Sequence, residues 1–308
     1  FLQPNGNLGF APSDLAVHPV TGDLFVSVGG RGTRGSVYRI SYPAGRKSAE
    51  PIRFYETPEN WSVHADRVPK TPALSPARAL TLFQEAKDSS IRITAIRHLM
   101  LAMGDISTSE ARQRIDAGYT ANKPDALPGD IRRKAISLLP PAFEPEDPGH
   151  PQQYEIARLL AMLQADTEAA VQCIVSAFSE TSHPTHDAHY LFCLAQLPGP
   201  RASSRDRIVR AFLGIDRKLR ERKLLTDRNW SVNLRDALKS QLRFDPGMVS
   251  RIARTEQVSP DSAYLFDQLP EASRKAMAKK MAGSTEGWNG DAISFAERHL
   301  SHGEIAPL

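Results

Sequence analysis

The chain has 308 residues, and its 39 lysines and arginines against 35 aspartates and glutamates give a formal net charge of +4. Apolar residues make up 41% and charged residues 24%, the composition of a folded globular chain, which argues against wholesale disorder. The two cysteines, Cys173 and Cys193, exclude a disulfide-rich scaffold, a four-cysteine zinc site and an iron–sulfur cluster, and no apolar run approaches the roughly 18 residues of a membrane span.

The prolines and glycines crowd residues 1–76 and 118–151, which predicts irregular or strand-rich chain there. The basic residues, mostly arginine, are spread along the sequence. That spread predicts solvated helix faces rather than a concentrated nucleic-acid surface, so nucleic acid is not an expected partner.

Three short β runs open the chain. Residues 13–18 and 23–28 alternate apolar and polar around the turn Pro19-Val20-Thr21-Gly22, and residues 36–41 follow after a glycine-rich loop. Together they predict an antiparallel meander, with a further candidate strand at 52–55. A meander of this size amounts to one blade of a β-propeller, which needs about four to eight. The expectation is therefore a partial blade over 1–42, in a chain that is a piece of a longer protein. The loop Gly29-Gly30-Arg31-Gly32-Thr33-Arg34-Gly35 could cradle an anion on its backbone N–H groups with Arg31 and Arg34. A long glycine hairpin accounts for it as well. It is neither a phosphate-binding Walker loop nor a dinucleotide fingerprint.

Residues 43–72 read as a linker. From Ser75 the period becomes 3.6, with Ala79, Leu80, Phe83 and Ala86 on one face, then Ile91, Ala95, Leu99 and Ala102 after an N-cap at Asp88. Gly104 is placed to stop that helix. The pattern Ile91-Arg92-x-x-Ala95-Ile96-x-x-Leu99 recurs as Ile131-Arg132-x-x-Ala135-Ile136-x-x-Leu139, about 40 residues later, each copy near an aspartate (Asp88, Asp130). Further helices are predicted near 154–163, 167–178, 187–197, 206–218, 234–242, 247–254, 273–281 and 291–300. The fold class is mainly α, a HEAT-like α-solenoid over 73–308 behind the short meander.

Three further features carry candidate chemistry. His186 and His189 stand three apart on one predicted helix, a spacing that suits two metal ligands, but no second ligand cluster accompanies them. Cys173 and Cys193 lie in apolar helical contexts and read as buried thiols, a disulfide between neighbouring helices being the alternative. Asp227-Arg228-Asn229-Trp230 reads either as a recognition site or as a helix cap with an aromatic wedge. There is no Ser-His-Asp signature and no His-Glu-x-x-His.

Residues 11–41 resemble the last blade of a sugar-dehydrogenase-like propeller. Two later stretches are similar to the region that follows the propeller in the planctomycete-type membrane-bound dehydrogenases. One runs from Leu213-Gly214-Ile215-Asp216-Arg217-Lys218 to Leu225-Thr226-Asp227-Arg228-Asn229-Trp230, and the other is Ser259-Pro260-Asp261-Ser262-Ala263-Tyr264-Leu265-Phe266. The resemblance implies a propeller, then HEAT-like helices, then a c-type cytochrome domain, in a periplasmic or otherwise exported protein. Most of the propeller is missing here and no Cys-x-x-Cys-His is present. Any haem c or quinone would thus belong to other parts of the parent protein, with no cofactor in this chain, and no catalytic residue carries over. The expected function is a non-catalytic helical-repeat spacer for neighbouring domains or protein partners. The alternatives are an oxidoreductase with its active site in the missing propeller, and a nucleic-acid-binding HEAT array.

Overall fold

The computed structural model describes residues 12–18, 21–28, 36–41, 74–104, 118–226, 229–256, 258–301 and 304. Among these the chain is mainly α-helical, with a small three-stranded antiparallel sheet near its N-terminal end, as its patterning predicts. It divides into two compact units, Phe1–Pro72 and Ala73–Leu308. The candidate strand at 52–55, the linker at 43–72 and the loop arginines Arg31 and Arg34 lie outside the described residues.

In the first unit the strands β1 (Pro12–Val17), β2 (Leu24–Val28) and β3 (Ser36–Ile40) pair in sequence order. The β1–β2 turn closes through His18 N–H to the Asp23 carbonyl (2.8 Å) and Gly22 N–H to the His18 carbonyl (2.9 Å). Gly22 sits at φ 71°, where a Cβ is disfavoured. The register places Leu15 opposite Val26 opposite Tyr38, and Val17 opposite Leu24 opposite Ile40. One face is therefore apolar, and Val26 at its centre is buried. On the β2–β3 pair, Arg39 grips Asp23 with Nε (2.8 Å) and Nη2 (2.5 Å), and Thr21 Oγ1 donates to the same carboxylate oxygen (2.7 Å).

The second unit holds twelve α-helices among the described residues. They are α1 (Pro76–Glu85), α2 (Ser89–Ala102), α3 (Gly129–Leu138), α4 (Pro151–Met162), α5 (Glu168–Ser176), α6 (Pro184–Leu194), α7 (Arg205–Glu221), α8 (Trp230–Phe244), α9 (Gly247–Ala253), α10 (Ala263–Phe266), α11 (Glu271–Met281) and α12 (Gly290–His299). None is long and apolar enough to cross a membrane. Asp88 caps α2 as expected, its Oδ1 accepting from the N–H groups of Ser90 (2.8 Å) and Ile91 (3.2 Å). Gly104 beyond the C-terminus of α2 adopts φ 67°. Two helices start on a His-Pro pair: the His150 and His183 rings accept from the N–H groups of Gln152 and Thr185 at α4 and α6, with proline at the first helical position.

The helices pack in two rows. α2 rests on α4, α4 on α6, α6 on α8, α8 on α10 and α10 on α12. In the other row α1 meets α3, α7 meets α9 and α9 meets α11, while α5 is joined to its neighbours through the 3-10 turns Pro140–Ala142 and Ala202–Ser204. Of the stripe expected on α2, Ala95 and Leu99 are buried, together with Ile96 and Met100, whereas Ile91 is 44% exposed. α2 packs on two neighbours, α1 and α4.

The 40-residue repeat is helical in both copies, but the copies stand in different rows, α2 on α4 and α3 on α1. What they share is a local bond. Arg92 Nε donates to the carbonyl of Ala86, the C-cap of α1 (2.8 Å), and Arg132 donates to that of Leu163, the C-cap of α4 (Nη2, 2.5 Å). Each arginine satisfies an orphan carbonyl at the end of the adjacent helix.

Candidate functional site

The sequence candidates fall in two places. His186 and His189 lie on α6, on one face as their spacing predicts, and both rings flank Tyr154 of α4, edge to face, at centroid distances of 5.5 and 4.6 Å. His189 Nε2 lies 3.2 Å from the Tyr154 carbonyl, which can only accept, so Nε2 carries the proton and Nδ1 accepts from the Tyr119 hydroxyl (3.3 Å). Burial pushes His189 down to about 4, which keeps this neutral tautomer in place at neutral pH. Both nitrogens of one candidate ligand are thus already engaged by protein groups. Among the described residues no three His, Cys, Asp or Glu side chains gather as metal ligands. Cys193 is buried beside His189 (Sγ to Nε2, 3.6 Å) and Cys173 bonds the Ala170 carbonyl (3.3 Å), and both are free thiols. Burial pushes the Cys173 thiol up to about 12 and raises that of Cys193, so neither is primed as a nucleophile.

The second place is a cavity of about 400 Å³ in the C-terminal part of the helical unit. Asp216 and Arg220 stand four apart on α7 and face it together. Trp230 begins α8, Asp261 lies in the 3-10 turn Pro260–Ser262, Tyr264 lies on α10, and Trp288 precedes α12. Asp216 is nearly buried. Its Oδ1 accepts from the Trp230 indole N–H (3.0 Å), and its Oδ2 from the Tyr264 hydroxyl (2.8 Å) and more weakly from Ser262 (3.4 Å). Burial pushes this carboxyl up to about 6; the Trp230 and Tyr264 donors oppose the shift, and the Asp261 charge adds to it.

Asp261 Oδ2 is held by Arg220, whose guanidinium also reaches Ser259 Oγ (3.5 Å) and Glu286 (3.8 Å). The other oxygen, Asp261 Oδ1, is shielded from solvent and has no hydrogen-bond partner. Gly287, at φ 82°, passes directly under the pair: a Cβ there would come within 2.8 Å of Arg220 Nη1 and 2.9 Å of Ser259 Oγ. Trp288 is anchored by its N–H to the Ser284 carbonyl (2.9 Å), and Asn289 caps α12 through Ala292 N–H (2.9 Å). Beside the cavity wall at Leu224 stands Leu225, 98% exposed. The site therefore combines two tryptophans, a tyrosine and an excess of carboxylates over its one arginine. It can accept a cation, and it presents no activated nucleophile.

Of the expected recognition cluster, Trp230 lines this cavity and Asn229 is the N-cap residue of α8, its carbonyl accepting from Asn233 N–H (2.8 Å). Asp227 and Arg228 lie outside the described residues. Reading the sequence missed Asp216, Arg220, Asp261, Tyr264 and Trp288 as site residues. The only signal for the first four was that the segments 213–230 and 259–266 drew attention as motifs, and nothing marked Trp288. Comparisons of the chain with protein-family models, curated proteins and solved structures find no match.

Proposed function

We propose that the helical unit is a non-catalytic, HEAT-like scaffold within a longer, exported, sugar-dehydrogenase-like protein, and that the cavity around Asp216 docks a protein partner or a neighbouring domain. Any haem c or quinone belongs, on this reading, to parts of the parent outside this chain. The packing of most helices on the second one along, α5 excepted, supports the repeat reading. The observation that carries the recognition reading is the convergence of segments 213–230 and 259–266 on one acid-rich, tryptophan-lined cavity. A buried carboxylate oxygen there lacks a partner, and a leucine beside it lies bare to solvent. Aromatic faces with carboxylates hold a lysine or arginine side chain, and an exposed leucine adds apolar contact at the rim.

Trp230 and Trp288 are two of the three tryptophans, so their emission reports the site. Titration with arginine- and lysine-containing peptides is expected to give a saturable change in tryptophan emission that Asp261→Asn abolishes without lowering helicity. No saturable change overturns the docking reading. Oxidation of an aldose by this chain with reduction of an added quinone or dye overturns the non-catalytic reading in favour of an oxidoreductase.

A further inference from the structure

Helix α7 carries Arg207, Arg210, Gly214 and Arg217 at spacings of three, four and three, which brings them to one stripe. The stripe floors two adjoining cavities of about 730 and 310 Å³ that share Glu180, Arg210 and Gly214. Arg251 and Arg254 of α9 and its C-cap join the larger cavity from the other side. Five arginines and two glutamates, Glu180 and Glu256, thus face one groove. Arg217 is tied to Glu180 (2.9 Å) and Arg251 to Asp206 (2.6 Å). Among the described residues Arg207, Arg210 and Arg254 have no side-chain partner and are exposed. The +4 chain gathers here a positive field that its sequence spreads out.

Gly214 lies at the floor of this groove. Glycine inside a helix is destabilising relative to alanine. No neighbour requires it: a Cβ at 214 would meet nothing nearer than Arg217 Nη2 at 4.0 Å. Gly214 therefore leaves the groove floor low between Arg210 and Arg217.

We propose that this groove binds an acidic polypeptide segment, laid along α7 with its carboxylates on Arg207, Arg210 and Arg254. Planar guanidinium forks match carboxylates in pairs. The argument against a nucleic-acid strand is local. No exposed aromatic ring lines the groove for bases to stack on.

The test uses the whole chain and a fluorescein-labelled dodecapeptide of Asp, Glu and Gly, read by anisotropy, beside a labelled 20-nucleotide single-stranded DNA. The double substitution Arg210→Glu/Arg254→Glu is expected to raise the peptide Kd at least tenfold, and Gly214→Leu to do the same by filling the floor. Arg133→Glu/Lys134→Glu, exposed on α3, is expected to change it less than twofold, and all variants should retain the helical circular dichroism of the parent. Gly214→Ala should raise the melting temperature. Absent peptide binding, or binding weakened equally by the α3 control, overturns the proposal. DNA binding that is tighter than peptide binding and lost with Arg210 and Arg254 also overturns it, and makes the groove a nucleic-acid site.

Discussion

Burial moves two groups of the helical unit in opposite directions across the same pH range. Asp216 is pushed from 3.8 up to about 6 by desolvation, and His189 from 6.5 down to about 4 by the same cause. Between about pH 4 and 6 the folded chain keeps a proton on Asp216 that the unfolded chain has released, so this group makes stability fall as pH rises. Over about pH 4 to 6.5 the unfolded chain keeps a proton on His189 that the folded chain has shed, so this group makes stability rise. Each swing is of order 3 kcal/mol, and they offset. Asp216→Asn is therefore expected to unmask a stability that climbs with pH over this window, and His189→Gln to unmask one that falls, both read from urea midpoints at a series of pH values. Lys218 poses a simpler case. Its ammonium, 4% exposed, bonds Asp187 (2.7 Å), Ser182 Oγ (2.9 Å) and the Ser179 carbonyl (2.6 Å), and Ser182 donates to Asp187 (2.7 Å). Lys218→Met strands a buried carboxylate and is expected to cost about 3–5 kcal/mol in urea unfolding, whereas Lys218→Met with Asp187→Leu should recover much of that loss.

At the scale of elements, several basic side chains are used to close helix ends. Besides Arg92 and Arg132, buried Arg201 bonds carbonyls around the end of α6, among them Leu194 (3.4 Å) and Gly199 (3.2 Å), as well as Leu197 and the Gln241 side chain. Lys280 bonds the carbonyls of Ala253 and Thr255 at the end of α9 (2.7 Å each). Arg201→Ala leaves several buried carbonyls open and is expected to destabilise by about 2–4 kcal/mol, while Arg132→Ala, at an exposed position, should cost about 1 kcal/mol; thermal melts of the two variants check the ranking. These bonds also explain what the sequence made legible. Helix starts were readable at Asp88 because a cap lies next to the N–H groups it serves. Helix ends closed by Arg132 or Arg201 were not, because the closing side chain belongs to another helix. Asp130, the aspartate near the start of the second copy, lies in the first turn of α3, where the N-cap is Pro128. The tetrapeptide α10 escaped notice because four residues carry too little period to register. Trp230 was marked out by residue type, but its partner Asp216 is brought to it only by the crossing of α7, α8 and α10.

At the scale of the molecule, the spread of arginine along the sequence argued for a featureless solvated surface, and the fold divides it instead. Part closes helix ends, part forms the groove along α7, and Arg220 faces an acid-rich cavity. Periodicity located the helices, but only their packing into rows decided which charges meet. If the rows behave as a repeat array, a chain ending at residue 269, without α11 and α12, should keep a cooperative helical melt at a lower temperature. A wholly unfolded product would show that the unit depends on every helix at once.

The side-chain bonds that run between helices have a mechanical consequence. Arg97 reaches Glu155, Tyr154 reaches His189, Lys218 reaches Ser179, Arg205 reaches Asp245, Asp216 reaches Tyr264, Lys280 reaches Ala253 and Arg298 reaches Asp267. Each link begins before the previous one ends, so any cut between residues 97 and 298 severs at least one of them. A chain laced in this way has no single seam. Stretched from its ends, it should give way link by link as a train of small extensions rather than in one rupture.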